Sequence, residues 1–476
     1  MKFSSLKSVH IVGVCGTLMG AFAAFLKRQG IQVSGSDQNI YPPMSDILVN
    51  AGVELFHEYS AENIKKISPR PDLIVIGNVI RSDNPEARFA IKNQYEYTSL
   101  PEAMEKFLLP LTKNLVVSGT HGKTTTSSLL AYVLEKCGKQ PNYFIGGVPE
   151  DLPYSFHIQN QNQGQLFVIE GDEYDTAFWD KVPKFNHYLP DHVILTSVEY
   201  DHADIYPNFE SVKLAFAGLL KRMRSNGRLI ACVDYPAVQE LLSRSNSPVL
   251  TYGMTSCQYR PERIRVEGGK TCFAVMKSNQ HVVDLSLQIP GNHNVLNALS
   301  VWIEAELLGL DPQNVAEAIS GFRGVKRRQE IKAEVNNVLV VDDFAHHPTA
   351  VRETLSALKL RYPNRRLIAV YEPRSATSRR KIFQNEYTAA FHSADCVFVA
   401  TPHDQSKIAQ NERFSTEELV ASLLKKGIQS YAMHAVDEGV SQVARQCRYG
   451  DVVAVLSNGG FGGFIPKVIK ALSSLI

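Results

Sequence analysis

The chain has 476 residues, 44% hydrophobic and 21% charged, with 50 Lys+Arg against 48 Asp+Glu for a formal charge of +2. Ample apolar content and small net charge exclude a chain disordered throughout, and near-neutrality leaves no electrostatic case for a dedicated nucleic-acid or membrane-surface binder. At roughly 150 residues per domain, the length predicts about three domains.

The first strand is predicted at Val9–Val14, then a helix over Leu18–Gln29 that Gly30 ends, then a strand at Ile31–Ser34. Asp72–Gly77, with its LIVI core, is another buried strand. Continuous apolar runs of this kind fit parallel strands covered on both faces. A new start comes at Leu115–Ser118, after a helical Glu102–Leu109 and Pro110, with further strands at Leu166–Glu170 and His192–Thr196. Thr251–Leu287 alternates around Gly268-Gly269 and reads as an antiparallel excursion, followed by helices His293–Leu308 and Pro312–Gly321. A third start at Val338–Asp343 leads to strands Leu367–Tyr371, Cys396–Ala400 and Val452–Ser457. Strands alternating with helices of about 10–15 residues predict doubly wound sheets. The expected fold class is α/β, with domains over 1–109, 110–323 and 324–476.

Seven scattered cysteines form no CxxC pair and no Cys/His metal spacing, which predicts reduced thiols in a cytoplasmic compartment. Gly13, Gly16 and Gly20 interrupt what a signal peptide would keep apolar. No run approaches the ~20 apolar residues of a membrane span. Nothing in the sequence sets an oligomeric state.

The strongest motif is Gly119-Thr120-His121-Gly122-Lys123-Thr124-Thr125, after a strand and opening a helix. Its glycines let backbone N–H groups turn toward phosphate oxygens, and the helix start adds donors and a positive dipole end. Lys123 reaches the β/γ-phosphates and the Thr124 hydroxyl suits Mg²⁺. Val117 stands where the general pattern has glycine, so this is a shortened form. Glu170 ends the next strand, near Thr124 by topology and placed to hold Mg²⁺. Glu199-Tyr200-Asp201-His202 ends another, and the neutral imidazole of His202 suits a second Mg²⁺; a solvated acidic loop is the bland alternative for either cluster. Asn294 and Asn297 share a helical face, and their carboxamides suit an adenine edge or simply cap the helix. Arg328, in a basic run, is a candidate phosphate clamp or a solvated side chain. In the first domain, Gly13, Cys15, Gly16 and Thr17 form a loop of GxxGxxxG spacing, with Asp37 after the second strand. A dinucleotide, as in an NAD-dependent dehydrogenase, and a UDP-sugar both fit there by position; glycines serving only tight packing are the alternative.

In that order and across the whole chain, GTHGKTT (119–125), the Glu170 strand end, EYDH (199–202), GNHNVLN (291–297), RRQE (327–330) and DDFAHHPT (342–349) resemble the Mur ligases. These are ATP-dependent amide-forming enzymes of peptidoglycan assembly. The resemblance implies a UDP-binding Rossmann-like domain, a central ATPase domain and a C-terminal Rossmann-like domain. It implies ATP on Gly119–Thr125, with one Mg²⁺ on Thr124 and Glu170 and another on Glu170 and His202. It further places Asn294 and Asn297 at adenine, Arg328 at phosphate, Asp343 near the ribose, Gly13–Thr17 and Asp37 at the UDP moiety, and His346, His347 and Arg374 at the incoming peptide. YPPMS (41–45), GGVP (146–149), DEYDTAFWDK (172–181), DHADIY (201–206), EPRS (372–375) and SNGGFGG (457–463) are closest to the family member that joins UDP-N-acetylmuramate to the tripeptide L-alanyl-γ-D-glutamyl-meso-diaminopimelate. The sibling that adds free L-alanine is the alternative. Thr196-Ser197 replaces an asparagine of some relatives and Gly171 an alanine, the latter change expected to be harmless. A dehydrogenase leaves GTHGKTT unexplained, and a non-enzymatic P-loop switch is the remaining class.

Overall fold

The computed structural model describes residues 6–42, 44–159 and 164–474. Pro43 of the YPPMS string lies outside the described residues. The chain packs as two compact units: Met1–Glu199 with Glu210–Arg260 and Leu299–Ala318, and Tyr200–Phe209 with Pro261–Ala298 and Ile319–Ile476.

The first unit opens with five parallel strands: β1 (Ser8–Val12), β2 (Gln32–Ser36), β3 (Glu54–Phe56), β4 (Leu73–Ile76) and β5 (Tyr97–Thr98), in the order β3-β2-β1-β4-β5. β1 and β4 are buried along their whole length, β4 as its unbroken apolar run requires and β1 although it carries Ser8 and His10. Strand order reverses at β1, so the loop from Gly13 lies where such sheets bind ligands.

A buried polar cluster ties this sheet together. Glu86 Oε1 accepts from the Ser60 amide (3.1 Å) and Asn63 Nδ2 (2.6 Å). Its Oε2 meets His10 Nε2 (3.4 Å) and the Ser36 hydroxyl, while His10 Nδ1 lies 2.9 Å from Ser34 Oγ. Burial pushes the Glu86 carboxyl up, but its hydrogen bond and charge interaction with His10 and the Ser36 and Asn63 donors hold it below the usual range.

The second sheet of this unit holds β6 (Thr112–Ser118), β7 (Asn142–Phe144), β8 (Phe156–His157), β9 (Gln165–Gly171), β10 (His192–Leu195), β11 (Arg228–Cys232) and β12 (Val249–Tyr252). Its order here is β12-β11-β10-β6-β9-β7-β8, parallel except for β7 with β8. The order reverses at β6, and β6 carries the phosphate loop. The helix Lys123–Lys136 that follows is buried at every position from Thr124 to Leu134. The two sheets meet through aromatic rings: Phe22 and Phe25 of the helix Thr17–Arg28 pack edge-on against Phe156, which also meets Phe144.

β13 (Tyr259–Glu267) follows β12, their register starting at Tyr252 with Tyr259. In the second unit, β14 (Lys270–Lys277) and β15 (Gln280–Leu287) pair antiparallel across Ser278-Asn279, both at positive φ as a tight hairpin demands. The antiparallel excursion expected from Thr251 thus starts late, because β12 still pairs parallel with β11.

The last sheet comprises β16 (Glu330–Val335), β17 (Val338–Asp343), β18 (Leu367–Tyr371), β19 (Cys396–Ala400), β20 (Gln429–Met433) and β21 (Val452–Leu456), in the order β16-β17-β21-β18-β19-β20. Only the β16–β17 edge is antiparallel. β16 is absent from the sequence expectation, which rested on continuous apolar runs; EIKAEV has none, and no residue of it is fully buried. All seven cysteines are free. Among the described residues no helix is long and apolar enough to cross a membrane.

Candidate nucleotide and substrate site

The phosphate loop owes its shape to two glycines. Gly119 sits at φ +139°, and a Cβ there would lie 2.2 Å from Thr196 Oγ1 and 2.8 Å from the Ser197 backbone. Gly122 sits at φ +81° and starts the helix Lys123–Lys136 without a capping side chain. The first-turn N–H groups of such a helix have no intrahelical acceptor and favour an anion. Gly119→Ala is expected to weaken ADP binding at least about fivefold, because the loop must shift at a cost of about 1–3 kcal/mol; unchanged affinity by calorimetric titration contradicts this.

Thr196 and Ser197, which the sequence left without a role, pin the loop. Thr196 Oγ1 donates to the His121 carbonyl (2.5 Å), and the Ser197 hydroxyl accepts from the His121 amide (2.8 Å). The Ser197 carbonyl accepts from the Thr120 amide at 3.0 Å. Thr120 Oγ1 takes the Glu199 amide (2.9 Å), and His121 Nε2 lies 2.8 Å from Glu199 Oε2. The available signal was small polar residues at the end of the strand beside β6. Gly171 suits its place, since a Cβ there would sit 2.8 Å from Val116 Cγ1.

Thr124 Oγ1 donates to Glu170 Oε1 (2.8 Å), and the Gly146 amide donates to Glu170 Oε2 (2.6 Å). Glu170 is buried, and burial raises its carboxyl above the usual range despite those donors and Lys123. A hydroxyl beside a buried, under-compensated carboxylate is a hard oxygen donor set that fits Mg²⁺. Lys123 Nζ donates to the Gly119 carbonyl (2.6 Å) and to Glu173 Oε2 (2.7 Å). Lys213 pairs with Glu210 (2.9 Å) and Glu240 (2.8 Å).

In the first sheet the Gly13 and Val14 amides donate to the Ser36 carbonyl. Asp37 accepts from the Cys15 amide at Oδ2 (2.9 Å) and from the Asn39 amide at Oδ1 (3.0 Å). Asp37 therefore shapes the loop. Burial, with Asp37 adding to it, pushes the Cys15 thiol up to about 11, so it is a neutral thiol. Gly16 starts the helix at Thr17, again without a capping side chain.

The second unit gathers the other expected residues. Asn294 Nδ2 donates to the Pro290 carbonyl (2.7 Å) and Asn297 Nδ2 to Asn294 Oδ1 (3.2 Å), so the two share a face. Arg328 lies between Arg327 and Gln329, both at positive φ, and its guanidinium rests 4.9 Å from the Phe344 ring centre. Two non-glycine residues in that region mark a backbone held in place for a purpose. Asp343 accepts from the Gln329 (2.8 Å) and Ala345 (2.7 Å) amides. Its burial outweighs Arg328 and those donors and raises its carboxyl. Arg327, which sequence reasoning passed over, donates from Nη2 to the Ser457 (2.7 Å) and Gly459 (2.8 Å) carbonyls.

The residues expected to meet a peptide are differently engaged. His346 Nδ1 lies 3.0 Å from the Phe344 carbonyl and its Nε2 3.5 Å from Asp201 Oδ2. Tyr371 and Tyr387 hydroxyls both donate to its carbonyl. His347 is buried and its Nδ1 accepts the Thr349 amide (3.3 Å), capping the helix Pro348–Arg361. The strand-to-helix turn thus fixes both imidazoles through contacts within the fold. Arg374 meets Glu372 (3.2 Å) and lies over the Gly459 backbone, where a Cβ would come 2.1 Å from its Nε. His202 stands at φ +55°, and its amide donates to Asp201 Oδ1 (2.7 Å). Burial pushes the Asp201 carboxyl up, but His202, His346 and His347 outweigh it and hold the group well below the usual range.

A phosphate loop at one switch point and a glycine loop at another define a nucleotide-dependent α/β enzyme of three sheets. The chain belongs to the Mur ligase family: residues 8–110 match its catalytic domain, 117–304 its middle domain and 327–459 its glutamate ligase domain. It is 34% identical to the UDP-N-acetylmuramate–L-alanyl-γ-D-glutamyl-meso-2,6-diaminoheptandioate ligase of Haemophilus influenzae, over 98% of this chain and 99% of that one. A UDP-N-acetylmuramate–L-alanine ligase of Geobacter sulfurreducens is 31% identical over 96% of each chain. Among solved structures, a murein peptide ligase from Psychrobacter arcticus superposes at a TM-score of 0.73 with 31% identity, covering 99% of both chains.

Proposed function

We propose that this Mur ligase joins UDP-N-acetylmuramate to L-alanyl-γ-D-glutamyl-meso-diaminopimelate, with ATP consumed to ADP and phosphate, in peptidoglycan recycling. The identity of 34% to a tripeptide ligase over nearly the full length carries this reading. The glycine loop at Gly13–Thr17 takes the UDP end, the loop at Gly119–Thr125 takes ATP, and the C-terminal segment takes the peptide, dividing the chain at 1–109, 110–323 and 324–476. A UDP-linked substrate and ATP place the reaction in the cytoplasm.

ATP's γ-phosphate goes to the lactyl carboxylate, the peptide's free amine attacks the resulting acyl phosphate, and phosphate leaves. No protein nucleophile is needed, so positioning and charge stabilisation carry the chemistry. Lys123 and the first-turn amides hold the transferring phosphoryl group in line. Thr124 and Glu170 would hold Mg²⁺, which supplies neutralisation of the phosphate charge. Arg328 clamps phosphate, Asn294 and Asn297 meet adenine, and Asp343 fixes the backbone beside the ribose. Arg374, anchored by Glu372, is the cation for a peptide carboxylate.

The alanine ligase is the second reading, favoured by a TM-score of 0.78 to a UDP-N-acetylmuramate-alanine ligase structure from Thermotoga maritima at 25% identity. A panel of ADP-release assays separates the two. Release with UDP-N-acetylmuramate and tripeptide is expected to exceed release with free L-alanine by at least about 100-fold, the discrimination a few unmet polar groups supply. Release with L-alanine alone overturns the tripeptide reading.

A further inference from the structure

The string DEYDTAFWDK (172–181) leaves the end of β9 and forms one leg and the tip of a hairpin. Asp175 bridges antiparallel to Pro183. The Thr176 amide donates to the Val182 carbonyl and the Lys184 amide to the Tyr174 carbonyl, both at 2.9 Å. At the tip, Phe178 and Trp179 pack against the core cluster of the first sheet that includes Ile76 and Ile80. Ile80 in turn faces Gly13, where a Cβ would come 3.3 Å from its side chain. At the base, Glu173 holds Lys123 of the phosphate loop. The hairpin therefore runs between the loop assigned to the UDP end and the loop assigned to ATP. A substrate that spans those two loops has its reacting end at the hairpin base.

Lys184 stands at that base, opening the short turn Lys184–His187. Its Nζ donates to Asp172 Oδ2 at 2.8 Å, and the two side chains are 12% and 17% exposed. This is its one side-chain hydrogen bond among the described residues. An ammonium carries three N–H donors, so Asp172 anchors the group without exhausting it. Asp172 and Glu173 are consecutive, so the carboxylates that hold Lys184 and Lys123 stem from neighbouring residues. The hairpin's other lysine near its tip, Lys181, is mostly exposed and pairs with Asp175.

Forming an acyl phosphate brings a carboxylate oxygen up to a γ-phosphate, and the two anions repel. Lys123 serves the phosphate. A second ammonium beside it, largely withdrawn from water and with donors to spare, offers a carboxylate a strong charge-assisted hydrogen bond. We propose that Lys184 binds the lactyl carboxylate of the UDP-linked substrate and so selects a sugar that carries one. This rests on the UDP-N-acetylmuramate reading above, which the tripeptide and alanine ligases share. Asp172 fixes the ammonium in place, and a second N–H of the same group meets the substrate.

The test compares UDP-N-acetylmuramate with UDP-N-acetylglucosamine, which lacks the lactyl ether and its carboxylate. Each is titrated by calorimetry into the full chain with saturating ADP and Mg²⁺. Wild type is expected to prefer the muramate by at least about tenfold, the worth of a hydrogen bond to a charged group. Lys184→Gln, neutral and similar in shape, is expected to bring that preference below about threefold by weakening muramate binding alone. Lys184→Arg, which keeps the charge, is expected to retain most of it. ADP affinity serves as the folding control and is expected to be unchanged in both variants. A pair with Asp172 that only steadies the hairpin leaves the ratio at its wild-type value, whatever happens to the two affinities, and that result overturns the proposal. A Lys184→Arg ratio as low as that of Lys184→Gln also overturns it. Wild type that binds the two sugars equally overturns it while leaving the ligase reading standing. Wild type that binds neither overturns both. If Lys184→Gln fails the folding control, Lys184→Met, whose unbranched stem fills the same space, takes its place with the same expected ratio.

Discussion

Lys123→Ala is expected to lower ADP release by about 10³-fold or more while changing UDP-N-acetylmuramate affinity by less than about twofold. The magnitude follows from removing a preorganised cation at a developing phosphate charge. The selectivity follows from placement. Lys123 begins the helix after β6, whereas Gly13, Gly16 and the Asp37-bound loop belong to β1 and β2 of another sheet. Single-turnover ADP release and equilibrium binding of the UDP-linked substrate, measured on one preparation, check both halves. Loss of UDP-substrate affinity in this variant contradicts the division of labour between the two loops. The variant also leaves Glu173 without its lysine, so a modest drop in melting temperature accompanies the loss of turnover.

Glu86→Ala is expected to cost about 3–5 kcal/mol of stability. The substitution strands the donors of Ser36, Ser60 and Asn63 and the ring of His10, all in the interior of the first sheet. Chemical denaturation of the full chain, followed through the first transition, measures it. The pH dependence has a definite sign. The Glu86 carboxyl is held below its ordinary value in the folded protein. Its stabilisation is therefore complete above the unfolded-state pKa of about 4.3 and disappears as pH falls through the lower folded value. Wild type is expected to lose stability more steeply than Glu86→Ala on acidification below about pH 4. Parallel acid-unfolding curves for the two proteins reject this. Because Ser36 precedes Asp37, which holds the Cys15 amide, the same substitution is expected to weaken the UDP-substrate site.

Much of the fold is legible in one dimension because its parallel strands are buried on both faces. Runs such as LIVI at 73–76 and VLVV at 338–341 are apolar without interruption, and polar residues follow each one. Strands β17, β18 and β19 accordingly begin and end where the pattern places them. Edge strands are less legible. β16 has EIKAEV, which alternates polar and apolar residues but lacks the continuous apolar run that marks the buried strands. β5 is two residues long and has no pattern at all.

The candidate site divides along the same line. GTHGKTT is readable because its chemistry is local: glycines, a lysine and a hydroxyl on consecutive residues at a strand-to-helix turn. The approach of Glu170 to Thr124 is readable from strand order alone, since adjacent parallel strands end side by side. Thr196, Ser197 and Arg327 are not readable, because their hydrogen bonds go to backbone carbonyls and amides far along the chain, which no residue pattern encodes.

His346 and His347 show where reading by position stops. His347 caps a helix and His346 faces Asp201, contacts that their position in a ligand loop does not announce. Asp37 likewise stands where an acid would read a ribose, and spends both oxygens on its own loop. By itself the sequence determined the three α/β sheets, the phosphate loop and the family, because those rest on short-range periodicity and contiguous residues. Tertiary structure alone decided the partners: which carboxylate holds Lys123, which hydroxyls pin the loop, and which histidines are already engaged. Hydrogen bonds and ion pairs form between atoms brought within about 3 Å, and that proximity exists only once the chain has folded.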